Sequence, residues 1–137
     1  MNALPGREAG AVRVVLADGR TKVLSALRLL LEQDGGLMVS SEATTAEELL
    51  EQVKDSCPDA ILLDCDLPGP RASELLPQLR SICPRTQVVA LCSRPELRRA
   101  ALTAGADAFF CKTESPEKLL AVLCECLAAV GTGKPMD

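Results

Sequence analysis

Residues 58–69 of the chain read PDAILLDCDLPG. Four apolar residues, 60–63, run without interruption into Asp64, and a proline–glycine pair at 68–69 closes the stretch. An unbroken apolar run bounded by turn residues is typical of a strand that is buried on both faces of a parallel sheet. The stretch therefore predicts a central strand with a carboxylate at its carboxyl end.

The same kind of run recurs on both sides of this stretch. Strand-like runs alternate with segments of helical period, and the predicted strands are 13–17, 37–41, 60–64, 87–91 and 107–111. The predicted helices are 21–33, 45–56, 73–82, 95–104 and 115–129. Alternation with short connections predicts a parallel sheet covered by helices on both faces. We expect an α/β fold, a flavodoxin-like (βα)5 doubly wound parallel sheet with strand order 2-1-3-4-5.

The length of 137 residues suits one domain. We place it at residues 12–130, between an N-terminal tail, 1–11, and a C-terminal tail or linker start, 131–137. No apolar run reaches the roughly 20 residues that span a bilayer, and the first residues lack the pattern of a signal peptide. We therefore expect a cytoplasmic protein without a membrane partner.

The composition excludes several kinds of chemistry. The chain has no histidine, a net charge of −4 and only two aromatic residues, Phe109 and Phe110. Catalysis through imidazole and imidazole metal ligation are therefore ruled out. The negative charge and the scarcity of aromatic side chains argue against direct nucleic-acid binding by this chain. Reactivity has to come from carboxylates, lysine, thiols or hydroxyls.

Seven cysteines are present, most of them inside apolar runs: 57, 65, 83, 92, 111, 124 and 126. A buried reduced cysteine packs as a small hydrophobic residue, and an odd number in a cytosolic chain favours free thiols. We expect inert, reduced thiols. The alternative is a redox or soft-metal site at Cys65, Cys92 and Cys111, which end central strands.

Charged residues cluster at the predicted strand ends. In this topology, ligands bind outside the carboxyl ends of strands one and three. Asp18 follows strand one, Asp64 and Asp66 end strand three, and Lys112 ends strand five. Asp18 alone is equally explained as a helix N-cap. Together these residues predict an acidic pocket with one lysine at the switch point.

Asp18, the string PDAILLDCDLPG, the run VVALCS (88–93) and GADAFFCK (105–112) resemble, in order and spacing, a response-regulator receiver domain of the NarL/FixJ/LuxR type. The resemblance covers about residues 12–130, nearly the whole chain. It implies a signalling domain, not an enzyme, that accepts a phosphoryl group on Asp64 from a sensor histidine kinase. It also implies Mg²⁺ held by Asp18, Asp64 and Asp66, the last through its backbone carbonyl.

The resemblance assigns three further positions. Lys112 would pair with the phosphoryl oxygens, Phe109 would be the aromatic switch, and Cys92 stands where the family has a switch Ser or Thr. A core phenylalanine explains Phe109 equally well. Ser93 follows Cys92, but alternation along the strand predicts that it faces away.

A second departure is Gly19, which replaces the second strand-one acid of the family. The cation site is therefore short of one charged ligand, a loss for which the Asp66 side chain could compensate. Gly19 and Cys92 together raise the alternative of a pseudo-receiver, an interaction module that works without phosphorylation. A third hypothesis is a haloacid-dehalogenase-like phosphatase, since DCD resembles its nucleophile motif.

The sequence also predicts two features of the protein surface. Asp66 and Arg94 lie at positions that flank the pocket, and we expect an ion pair between them. Helices one and five carry more apolar residues than one core-facing stripe requires, which predicts a symmetric homodimer through these helices. Relatives of this type usually carry a DNA-binding domain after the receiver.

Overall fold

The computed structural model describes residues 11–131, so nearly all of the predicted tails, 1–11 and 131–137, lies outside the described residues. The strands are β1 (Val12–Ala17), β2 (Leu37–Ala43), β3 (Ala60–Asp64), β4 (Gln87–Cys92) and β5 (Ala108–Cys111). The helices are α1 (Thr21–Glu32), α2 (Ala46–Asp55), α3 (Ala72–Ile82), α4 (Arg98–Ala104) and α5 (Pro116–Gly131). A single 3₁₀ turn, Pro95–Leu97, leads into α4.

All strand pairs are parallel, and the sheet has the order β2-β1-β3-β4-β5. The predicted flavodoxin-like α/β fold is therefore confirmed. In the register of β3 on β4, Ala60 lies opposite Gln87 and Asp64 lies opposite Leu91. Because the order reverses at β1, the carboxyl ends of β1 and β3 form the crevice where such folds bind ligands.

Burial explains why β3 reads as an unbroken apolar run. Every residue of this strand is buried, with Ile61 and Leu63 packed toward α2, α3 and α4 and Leu62 packed toward α1 and α5. A leucine or isoleucine that is fully removed from water contributes about 1.5–3 kcal/mol. The strand therefore lies between two cores, and only its carboxyl end, Asp64, reaches the pocket.

The turn after β3 is fixed by close packing at its glycine. Gly69 has a φ of +126°, and a Cβ there would lie 2.8 Å from the Cβ of Ala46. Only glycine combines this backbone conformation with so close an approach. The N–H of Ala46 also donates to the carbonyl of Pro68 at 2.9 Å, so the β3–α3 loop is held against the start of α2.

The opposite edge of the sheet is held by Arg80 of α3. Its guanidinium donates to the carbonyls of Thr86 at 2.6 Å and Gly105 at 2.7 Å, and it pairs with Asp107 at 2.7 Å. The same Asp107 carboxylate accepts from the N–H of Val88 at 2.8 Å. This network fixes the amino ends of β4 and β5, away from the predicted pocket.

The cysteines depart from prediction. Disulfide bonds join Cys57 to Cys83 and Cys65 to Cys92, with Cα–Cα distances of 5.7 and 5.3 Å, both within the usual disulfide range. The expectation of reduced thiols is therefore wrong for four of the seven. The physical reason is the pairing of β3 with β4. It places Cys57, which precedes β3, beside Cys83, which precedes β4. At the other end of the two strands it places Cys65 beside Cys92.

Every helix in the described part of the chain is too short or too polar to cross a bilayer.

Candidate functional site

A cavity of about 660 Å³ opens at the carboxyl edge of the sheet, at the switch point between β1 and β3. Its lining comes from the loops after β1, β3, β4 and β5 and consists of Asp18, Gly19, Arg20, Asp64, Asp66, Pro68, Ser93, Lys112 and Thr113. Four of the six predicted site residues are among them. The other two, Cys92 and Phe109, lie outside this lining.

Asp64 and Lys112 form the centre of the cavity. The Lys112 Nζ donates to Asp64 Oδ1 at 2.8 Å, and the Asp64 side chain is only 5% exposed. The N–H of Lys112 donates to the carbonyl of Cys92 at 2.7 Å, which fixes the lysine backbone beside β4. The side chain can therefore span from β5 across β4 to the end of β3.

Asp18 is the second carboxylate at Lys112. Its Oδ2 accepts from the Lys112 Nζ at 3.2 Å, and its Oδ1 accepts from the N–H of Arg20 at 2.9 Å. The side chain is 1% exposed. Because a buried carboxylate is costly without partners, these contacts offset the burial of the Asp18 side chain. They also leave Asp18 and Asp64 sharing the Lys112 ammonium group.

The Asp66 side chain is directed toward Arg94 and not toward Lys112. Its Oδ1 accepts from Arg94 Nη2 at 2.9 Å, and the two side chains are 61% and 53% exposed. This confirms the predicted Asp66–Arg94 ion pair, whose contribution to stability is small because water screens both groups. The pairing commits one oxygen of this carboxylate to Arg94.

The donor set fits a hard divalent cation. Mg²⁺ usually takes one or two carboxylates and completes its shell with water, and the buried pair Asp18 and Asp64 supplies that number. Within residues 11–131, no three carboxylate or thiol side chains surround a common metal position. The side-chain ligands brought together are therefore two, and a cation there would displace or share the contacts of Lys112.

Gly19 lacks the carboxylate of the family, and it also allows the close approach of Pro68. A Cβ at this position would lie 2.9 Å from Pro68 Cδ and 3.2 Å from Pro68 Cγ. Pro68 belongs to the loop that packs against the start of α2. The absence of the second acid therefore goes together with a proline that fills its place.

The two switch positions have unequal surroundings. Cys92 is 1% exposed, and its sulfur is bonded to Cys65, the residue after Asp64. Phe109 is 8% exposed in the core under α3 and α4, with the Arg98 guanidinium 5.9 Å from its ring centre. This contact is within cation–π range, so Phe109 connects β5 with the first residue of α4.

Sequence reasoning missed two hydroxyl groups. Ser93, which alternation predicts to face away, lines the cavity together with Thr113. The reason is that β4 ends at Cys92, so strand alternation no longer applies to the next residue. The position of Ser93 one residue beyond a strand end was the available signal.

Comparisons with known proteins identify the family of the chain. A family model described as the response regulator receiver domain matches residues 14–124. The nitrate/nitrite response regulator protein NarL of Escherichia coli strain K12 is 31% identical over 112 residues, covering 80% of this chain and 52% of the relative. The transcriptional activator protein ExaE of Pseudomonas putida is 34% identical over 118 residues, covering 84% and 55%. The chain thus spans about half the length of these relatives.

Solved structures show the same likeness. The signal receiver domain of NarL from Mycobacterium tuberculosis superposes with a TM-score of 0.79 at 26% identity, covering 87% of this chain and 98% of that one. A CheY-like receiver domain protein from Methanospirillum hungatei gives a TM-score of 0.81 at 27% identity, with coverages of 91% and 100%.

Proposed function

Since the chain belongs to the response regulator receiver domains of the NarL/LuxR type, we propose that Asp64 accepts a phosphoryl group from the phosphohistidine of a sensor histidine kinase. The observation that carries this proposal is the Asp64–Lys112 contact of 2.8 Å inside the switch-point cavity. A buried carboxylate that opens onto a cavity of this size is placed to meet a phosphoryl donor. The membership argues against the phosphatase hypothesis.

The chemistry follows from the charges. An oxygen of Asp64 attacks the phosphorus of the donor, the bond from phosphorus to the histidine nitrogen breaks, and an acyl phosphate forms. Lys112 lies where it can neutralise the phosphoryl oxygens. Receiver domains generally bind Mg²⁺ in their acidic pocket, and Asp18, Asp64 and the Asp66 carbonyl would hold it here. The cation would supply neutralisation of the approaching oxygens.

Phosphorylation would act as a two-state switch. The added charge favours a second conformation of the loops after β4 and β5 and so changes a partner surface. Phe109 and Cys92 would transmit this conformational change to α4. We place the domain in the cytoplasm, at residues 12–130, where it would regulate transcription through an output domain, without itself contacting nucleic acid. Gly19 and Cys92 are the features that raise the pseudo-receiver alternative, which the family membership and the NarL/LuxR-type relatives do not favour.

Intact mass spectrometry tests the acceptor directly. Incubation of the reduced chain with Mg²⁺ and acetyl phosphate is expected to add one phosphoryl group, about 80 Da, to the wild-type protein. Asp64→Asn is expected to remove the adduct completely, since an amide is not a nucleophile for phosphorus. Asp55→Asn, at an exposed carboxylate that ends α2, serves as the matched control and should retain the adduct.

An adduct that persists in Asp64→Asn would contradict the assignment of the acceptor. A wild-type chain that takes up no phosphoryl group and binds no beryllofluoride would favour the pseudo-receiver.

We propose a second copy of this chain as the partner of the α1–α5 face. Leu29 of α1 is 69% exposed, the largest exposure of a bulky apolar side chain among the described residues. On the same sheet face, Leu120 and Cys124 of α5 are only partly covered. An isologous contact would bury this face on both copies.

Light scattering coupled to size-exclusion chromatography tests the dimer. The wild-type chain is expected to be dimeric at high concentration, and Leu29→Glu is expected to raise the dissociation constant by about tenfold or more, because it places a charge in an apolar contact. Met38→Glu, at an exposed residue of β2 (41% exposed), is the control. A monomer at every concentration would refute the proposal.

A further inference from the structure

The Cys65–Cys92 disulfide lies at the proposed phosphorylation site. Cys65 directly follows Asp64, and its N–H donates to the carbonyl of Leu91 at 2.9 Å. Cys92 accepts through its carbonyl from the N–H of Lys112 at 2.7 Å. The disulfide therefore links the neighbour of the acceptor carboxylate to the residue that anchors the pocket lysine.

The two sulfurs differ in access. Cys65 is half-buried, and Cys92 is 1% exposed. Cys65 also lines a separate cavity of about 350 Å³ together with Arg71, Arg94 and Ser73. Cys65 therefore opens onto this cavity, whereas Cys92 is buried in the core. Arg94 is paired with Asp66, so the Arg71 guanidinium is the group that favours a reagent with negative charge.

From this arrangement we propose that Cys65 and Cys92 are a reversible redox modification site that controls phosphorylation of Asp64. The proposal rests on the proposed function for its regulatory effect. The oxidant class is an anionic low-molecular-weight disulfide such as glutathione disulfide. Disulfides in a reducing compartment are usually transient, catalytic or redox-sensing, which agrees with a bond that adjoins the acceptor carboxylate.

The exchange proceeds in two steps. The Cys65 thiolate attacks one sulfur of the glutathione disulfide, which forms a mixed disulfide and releases one glutathione thiolate. The Cys92 thiolate then attacks the Cys65 sulfur, which forms the Cys65–Cys92 bond and releases the second glutathione thiolate. The two cysteines are oxidised, the reagent is reduced, and the two thiol protons pass to the departing glutathione.

The bond restrains the switch. In the oxidised chain the Cys92 side chain is held at Cys65, so the end of β4 cannot rearrange independently of the β3–α3 loop. If phosphorylation favours a rearranged β4 end, a bond that forbids it disfavours phosphorylation. Binding linkage is reciprocal, so a phosphoryl mimic at Asp64 disfavours the bond to the same degree. The oxidised form is the less responsive one.

The other cysteines provide internal references. The Cys57–Cys83 disulfide lies at the amino edge of β3 and β4, far in the fold from Asp64. Burial, with the carboxylates of Asp107 and Glu125, raises the pKa of Cys126 to about 11. Burial also raises the pKa of Cys124. Thiols held protonated react slowly, so these positions should not respond to mild oxidation.

The test uses the full chain equilibrated over a series of glutathione redox buffers, with and without Mg²⁺ and beryllofluoride, then alkylated and mapped by peptide mass spectrometry. We expect the Cys65–Cys92 bond to form reversibly. Beryllofluoride should shift its equilibrium by about tenfold toward the thiols, with no shift for Cys57–Cys83. In parallel, the oxidised chain should bind beryllofluoride about tenfold more weakly than the reduced chain, and it should take up phosphate from acetyl phosphate more slowly.

Two variants sharpen the result. Cys65→Ser should be phosphorylated at equal rates in oxidising and reducing buffers, and Cys111→Ser, which changes the free cysteine opposite Cys92 on β5, should remain sensitive. Absence of the Cys65–Cys92 bond at every glutathione ratio would overturn the proposal, as would equal phosphorylation rates for both forms. If the reduced chain took up no phosphate while the Cys65–Cys92 bond still formed reversibly, the proposed function and the regulatory role would both be contradicted. The redox modification site itself would be retained.

Discussion

Replacement of Lys112 by methionine is expected to lower the rate of phosphorylation by acetyl phosphate by about 100-fold, the usual cost of removing one charge-stabilising group from a transition state. The Lys112 Nζ contacts Asp64 at 2.8 Å and Asp18 at 3.2 Å. Within residues 11–131, Lys112 is the side-chain cation that pairs with Asp64. Methionine keeps the length and packing of the stem, so the loss reports the charge.

The same replacement is expected to destabilise the fold and to strengthen the cation site. Two carboxylates that are 1% and 5% exposed lose the cation they share, at a cost of about 3 kcal/mol in the free energy of unfolding. A divalent cation should restore much of that loss, because its competitor for both carboxylates is gone. We expect the affinity for Mg²⁺ to rise by about tenfold.

Urea unfolding followed by circular dichroism, with and without Mg²⁺, measures the stability change, and titration calorimetry measures cation binding. Lys118→Met is the matched control, since that side chain is 67% exposed and its nearest acid, Glu114, is 3.8 Å away; its effect should stay within about 0.5 kcal/mol. An unchanged phosphorylation rate in Lys112→Met would remove the lysine from the proposed chemistry.

Most of the fold was predictable because each strand carries a local signal that the tertiary structure does not override. The apolar run 60–63 is continuous since both faces of β3 are buried, and Gly105 ends α4 with a φ of +127°. The fourth helix was predicted to begin at Pro95, whereas the structure has a 3₁₀ turn there before α4 begins at Arg98. The proline fits the start of either helix type.

The disulfides were missed although the sequence holds a signal for them. Cys65 and Cys92 are 27 residues apart and Cys57 and Cys83 are 26 apart. The register partners Ala60 and Gln87 of β3 and β4 have the same separation as the first pair. Once two adjacent parallel strands are predicted, cysteines at matching offsets become neighbours. Reasoning from burial alone treats each cysteine separately and cannot detect this.

The site was predictable in composition and less so in geometry. The topology brings the predicted Asp18, Asp64 and Lys112 together, since carboxyl ends of neighbouring parallel strands meet at one edge. The direction of the Asp66 side chain could be predicted only from its expected ion pair with Arg94. The packing of Pro68 over Gly19 depends on the path of a loop, which no periodicity encodes.

That packing makes Gly19→Asp the most informative change to the cation site. A second carboxylate beside Asp18 supplies a further oxygen ligand and a further negative charge, and we expect the affinity for Mg²⁺ to rise by about tenfold or more. The new Cβ lies 2.9 Å from Pro68 Cδ, so the proline must move. Overpacking of this kind costs about 1–3 kcal/mol.

Gly19→Ala separates the two effects, because it introduces the same Cβ without the charge. Both variants should lose similar stability in urea without Mg²⁺, after allowance for the repulsion that aspartate adds, and only Gly19→Asp should bind Mg²⁺ more tightly by calorimetry. Calorimetry is the suitable method, since the chain has no tryptophan or tyrosine to report binding by fluorescence. If Gly19→Asp bound Mg²⁺ no better than wild type, the cation would not be held beside Asp18, and the proposed ligand set would be wrong. If Gly19→Ala also bound Mg²⁺ more tightly, the position of the Pro68 loop would control the affinity, because displacement of the proline alone would then open the pocket.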